Sequence, residues 1–121
     1  MTAEVAGFDA GIVTLRVSGR LTQAELRLAQ QQTVSAVGPR GRFNILVLAE
    51  HFNGWEEGGQ WEDFSFQETH DARIGRMAIV AEERWRDLAL LFTSSGLRPF
   101  PIEFFPAASL GAARAWLAAG Q

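Results

Sequence analysis

The chain has 121 residues, 47% of them apolar and 21% charged, with net charge −3. That length and composition fit one domain with a core of its own, so we expect a single domain over residues 1–121. There is no Cys, which excludes disulfide scaffolds, Cys-ligated metals and thiol nucleophiles. All 11 basic residues are Arg, so Schiff-base and P-loop lysines are excluded as well. The acidic balance speaks against nucleic-acid binding, and two His are too few for a His-rich metal site.

The first residues, Met1-Thr2-Ala3-Glu4-Val5, lack a basic region followed by a long apolar run, so no signal peptide is expected there. The apolar stretch Ile45-Leu46-Val47-Leu48-Ala49 falls far short of the ~20 residues that a membrane span needs. A cytoplasmic protein is the expectation.

In chain order, 4–8 and 12–18 read as strands joined by the turn-type cluster Asp9-Ala10-Gly11, an antiparallel hairpin. Thr22 followed by Glu25 is a capping-box spacing and predicts a helix over 23–37, with Leu26, Ala29, Thr33 and Val37 on its inward face. Gly38-Pro39 stops it. Residues 43–49 form a near-continuous apolar run, the pattern of a strand covered on both faces. A polar loop is expected over 50–59, then an irregular helix over 59–72. Residues 76–81 read as a second buried strand. Trp85, Leu88, Ala89 and Phe92 follow at i, i+3, i+4 and i+7, the clearest amphipathic helix in the chain. A last strand over 101–105 precedes a helix capped by Ser109 and carrying Leu110, Ala113, Trp116 and Leu117 inward. This β-β-α-β-α-β-α-β-α order predicts an α/β fold. Its sheet is five-stranded and mostly parallel, with an N-terminal antiparallel strand and helices covering it.

Gly19-Arg20-Leu21-Thr22, Leu46-Val47-Leu48 with Phe52-Asn53-Gly54-Trp55, Trp61-Glu62-Asp63-Phe64 with His70, Arg76-Met77-Ala78-Ile79-Val80 with Trp85, and Ala115-Trp116-Leu117 stand in family order. With these the chain resembles the SpoIIAA-like family of small bacterial proteins, in the superfamily of STAS and CRAL-TRIO domains. The resemblance implies a β/α superhelix with an added N-terminal strand. In the anti-sigma factor antagonists of that superfamily, an Asp-Ser pair after the third strand carries a phosphorylatable Ser. Here Glu50-His51-Phe52-Asn53-Gly54-Trp55 follows instead, so that switch is not carried over.

The candidate chemistry is sparse. His51 lies among Glu50, Glu56 and Glu57, and His70 precedes Asp71. Either could serve as a base beside a carboxylate, or be no more than a packed ring. Adjacent helical residues point apart, which weakens the second pair. No Gly-x-Ser-x-Gly or Gly-x-Gly-x-x-Gly motif is present. An enzyme using His51 or His70 is therefore the weakest reading, and neither cofactor nor metal is expected. The aromatic load is the stronger signal: Phe52, Trp55, Trp61, Phe64 and Phe66 gather in one region. These rings, with His70, suit a protein-interaction or homodimer face, or an apolar-ligand or lipid pocket of the kind the CRAL-TRIO relatives suggest. Trp85 and Trp116 read as core. The expectation is a binding module that is not an enzyme.

Overall fold

A computed structural model of the chain describes residues 2–39, 41–57 and 65–120. It holds β1 (Ala3–Asp9), β2 (Ile12–Leu21), α1 (Gln23–Val37), β3 (Phe43–Trp55), α2 (Ser65–His70), β4 (Ile74–Ala81), α3 (Arg86–Phe92), β5 (Ile102–Pro106) and α4 (Leu110–Ala119). The five strands form one sheet in the order β1-β2-β3-β4-β5. The β1–β2 pair is antiparallel and the other three pairs are parallel, as the strand–helix alternation predicts.

Strand periodicity sorts the sheet into two faces. Odd-numbered residues of the central strands, Ile45, Met77 and Ile79 among them, join one core with Phe43, Phe100 and Phe104. Even-numbered Leu46, Leu48, Ala78 and Val80 join the other with Ala113 and Leu117 of α4. Among the described residues, α1, α2 and α3 lie on the odd face, through Ala29, Phe66, Ala89 and Leu90, and α4 lies on the even face.

Four sequence expectations change in detail. The polar loop over 50–59 is strand as far as Trp55, because β3 continues through two bulges. The helix near 85–92 is shorter: Trp85 closes a 3-10 turn, and α3 begins at Arg86. That change of winding turns Leu88 outward, where it is 49% exposed, and brings Leu90 inward. Ser109 ends a 3-10 turn and makes no capping bond from its side chain. Trp116, expected in the core, is half-buried between Phe105 and the Arg76 guanidinium.

The capping box forms by half. Thr22 Oγ1 accepts from the Glu25 N–H at 3.2 Å. The Glu25 carboxylate does not return to Thr22 but takes the N–H and the hydroxyl of Thr2, which ties β1 to α1. The hydrogen bonds from Thr2 hold that carboxyl below its ordinary pKa. Glu56 supplies the other cap, accepting from the Gln23 N–H at 2.7 Å. At the far end of α1, Arg73 donates to the Gly38 and Gly41 carbonyls at 2.8 and 2.9 Å. It supplies the cation that the last turn of α1 lacks.

Asn44 is the polar joint of the even face. It is 3% exposed, donates to the Leu117 carbonyl of α4 at 2.9 Å and accepts from the Arg76 N–H of β4 at 2.8 Å. Both bonds need Gly75, since a Cβ there would overlap the Asn44 Oδ1. Gly75→Ala should therefore lower stability by about 1–3 kcal/mol in urea denaturation. Gly111, inside α4 with open space where its Cβ would stand, is the control. Gly111→Ala should raise stability by up to ~1 kcal/mol, through helix propensity alone. Equal effects at the two sites would refute the joint.

Candidate functional site

The bulges in β3 build one wall of the site. Along β2, Val17, Gly19 and Leu21 pair with Ala49, Phe52 and Trp55, so two residues on β2 face three on β3, twice over. His51 and Gly54 take up the extra length in left-handed conformations, with φ of 54° and 97°. The inward period thereby changes from two to three, and Ala49, Phe52 and Trp55 all turn to the odd face. Trp85 comes to meet them from the end of β4. Its ring touches Phe52 and Trp55 edge-on at centroid distances of 5.0 and 6.1 Å, while Phe92 lies 5.0 Å from Trp55.

Beneath this aromatic wall lies a cavity of about 380 Å³ between the odd sheet face and the helices α1 to α3. Its floor is Leu15, Val47, Ile45 and Ile79, and small Ala49, Ala81 and Ala89 leave the room. Leu26 and Gln30 of α1 and Phe66 of α2 close the sides, and Arg98 reaches the far wall. The Arg98 charge is already matched. Its Nε and Nη2 donate to both oxygens of Asp71 at 2.9 and 2.6 Å, and its guanidinium lies over the Phe100 ring.

Of the residues named from sequence, Phe52, Trp55 and Phe66 come together here. Trp61 and Phe64 lie outside the described residues. His70 stands behind the wall, its ring 5.0 Å from Phe66, and lines no part of the cavity. His51 is exposed on the bulge. Asp71, the carboxylate next to His70 in sequence, is held by Arg98 instead. Sequence reading missed Trp85 and Phe92 as wall residues, having placed Trp85 in the core and Phe92 on the apolar stripe of its helix. It also missed the inward alanines, whose only signal is small size at positions where strands and helices carry large residues. Among the described residues no cluster of His, Asp or Glu could hold a metal ion, and no helix is long and apolar enough to cross a membrane.

The sequence pattern of the SpoIIAA-like family matches residues 12–118, and the chain belongs to that family. Among solved structures, it is similar to an uncharacterised protein of the DUF3478 family with a SpoIIAA-like fold, from Shewanella loihica PV-4. The TM-score is 0.73 at 18% identity, over 95% of this chain and 94% of that one. No curated protein matches the sequence.

His70 makes the site region sensitive to pH. Burial, with the Arg73 charge adding to it, holds its imidazole below the ordinary value. Arg73 can only donate, so at 3.3 Å the His70 Nδ1 is the acceptor and the proton sits on Nε2. Protonation removes that bond and sets two cations side by side. Because the folded pKa is depressed, the stability that His70 contributes is complete above the ordinary imidazole pKa. It is lost as pH falls through that value towards the folded one. Denaturation midpoints between about pH 7.5 and about pH 5.5 should fall in the wild type and fall less in His70→Gln. Equal slopes would show that the imidazole contributes nothing.

Proposed function

We propose that the protein binds a small apolar molecule in the cavity between the sheet and α1 to α3. One observation carries the reading: an apolar chamber of about 380 Å³ is kept open by alanines at 49, 81 and 89. That volume falls in the range of ordinary small-molecule sites, ~300–1,000 Å³. Unfilled space beside packed side chains costs stability, and a larger residue at any of the three alanines would reduce it. Retaining it is the mark of a compartment. The reading includes no phosphorylatable Ser switch. The segment after Phe52 turns the bulge instead, and Glu56 there already caps α1. The test is Ala89→Phe, which adds a ring at a residue that lines the chamber. Binding of N-phenylnaphthylamine, followed by its fluorescence, should weaken by at least about tenfold, with the thermal midpoint held or raised. Unchanged binding would sink the reading.

A second reading rests on a separate surface. Leu91 and Leu97 are 76% and 87% exposed, and Leu88 stands outward on the same helix as Leu91. We infer that these exposed leucines, on α3 and in the turns after it, support association with a protein partner or a second copy. Arg73 and Arg76 are engaged within the chain at the ends of α1 and α4. Sedimentation velocity at micromolar concentration should show a dimer fraction that Leu91→Glu abolishes. A monomer in both proteins would remove self-association and leave the pocket reading standing.

A further inference from the structure

The pocket wall contains two polar atoms that the fold does not use. The indole Nε1 of Trp55 and that of Trp85 are both buried, and neither finds a hydrogen-bond partner among the described residues. Indole is donor only, so nothing but an acceptor can satisfy it. Leaving a buried donor unmade costs about 1–3 kcal/mol, and native proteins leave few such groups. Two of them on residues 30 positions apart in sequence, meeting in one wall, need a reason. The edge-on contacts among Phe52, Trp55 and Trp85 offer these N–H groups at most the face of a neighbouring ring. That is a second-order interaction beside a carbonyl oxygen.

Resting on the pocket reading above, we propose that the ligand is an apolar molecule bearing one uncharged acceptor oxygen, a carbonyl or an ether. The Trp55 and Trp85 indoles donate to that oxygen. Each indole must turn about its Cβ–Cγ bond to bring its N–H to that oxygen, since neither Nε1 is open to the cavity in this structure. Charge argues for a neutral group. Both donors are neutral dipoles, and Arg98, the cation in the inner wall, is spent on Asp71 with only 8% of its side chain exposed. An ionised carboxylate drawn down to the indoles would lose its water without gaining a counter-charge, at a cost of several kcal/mol. Arg27, on the exposed side of α1, stands at the rim.

Three probes of one shape separate the terms: ethylbenzene, acetophenone and benzoate. Titrations of the full chain are followed by the indole N–H resonances in nitrogen-15 spectra. Acetophenone should bind about tenfold tighter than ethylbenzene and move the Trp55 and Trp85 N–H signals downfield. Trp55→Phe and Trp85→Phe keep a ring and remove a donor. Each should reduce the preference for acetophenone while leaving ethylbenzene affinity within about twofold of the wild type. If a Phe variant fails to fold, the wild-type signals alone decide. Equal affinity for ethylbenzene and acetophenone, or indole N–H signals that ignore the ketone, would overturn the acceptor proposal and leave the apolar pocket intact. Tightest binding by benzoate would overturn its neutrality. Binding of none of the three would overturn the pocket reading together with this one.

Discussion

The handedness of parallel crossovers decides where everything else in this molecule can lie. A strand-to-helix-to-strand connection in one sheet is right-handed in nearly all proteins. Here the parallel strands follow one another in sequence order, β2-β3-β4-β5, so the chain steps in a single direction across the sheet. Three right-handed steps in one direction put their three helices on one face. The other face would stay bare without a further element, and α4 reaches it only because the chain returns after β5. The result is an uneven sandwich. One helix packs over Leu46, Leu48, Ala78 and Val80, and three separate helices, two of them only six and seven residues long, roof the odd face. A roof made of separate pieces is where a cavity can persist, because no single helix packs along the whole sheet.

The second constraint is local to β3. A strand that kept its period of two past Ala49 would aim His51 and Asn53 inward and send Phe52 to the α4 side or to solvent. Two extra residues, absorbed at His51 and Gly54, act in turn: the first bulge brings Phe52 over the roofed face, and the second keeps Trp55 there beside it. Glycine suits the second position, where φ is 97° and Trp85 packs 3.6 Å from where a Cβ would stand. A non-glycine residue at φ 54° is less common, and His is among the residues that tolerate it best. This gives His51 a conformational reason to be where it is, quite apart from acid–base chemistry.

The sequence carries the element order clearly, because that order depends on patterns of many residues. Apolar runs at 43–49, broken at Asn44, and at 77–81 identify buried parallel strands, and α1 runs over the residues that Thr22 and Gly38 delimit. Legibility fails where a short-range rule changes mid-element. Bulges erase the alternation on which strand reading rests, so the end of β3 looks like a polar loop. The 3-10 turn at Glu83–Trp85 shifts the phase of α3, so a stripe that fits a regular helix faces solvent at Leu88. The half-made capping box fails for a different reason. Glu25 has a better offer from Thr2, a residue 23 positions away, and no local pattern registers a competitor at that distance. For the site, the sequence marks the bulky residues and is silent about the cavity, since a cavity is made by what is missing. Ala49, Ala81 and Ala89 are ordinary letters until the fold brings them to one chamber.

Those alanines also bear on why the two indoles stay unpaired. An apolar core can be completed with hydrocarbon alone, and Phe at either Trp position would fill similar space without burying a donor. A chain under selection for stability alone has a direct route to remove both the void and the unmade bonds: larger residues at 49, 81 or 89, and Phe at 55 and 85. Retaining void and donors in the same wall costs stability twice. The two costs share one remedy, since an occupant with an apolar body and one acceptor oxygen fills the space and satisfies the N–H groups together. A structural role for the rings explains their edge-on contacts but not the nitrogens, and a purely apolar occupant explains the void but not the choice of indole over phenyl. Of the three accounts, only an acceptor-bearing apolar ligand gives a single cause to the alanines, the bulges that set Phe52 beside Trp55, and the buried donors.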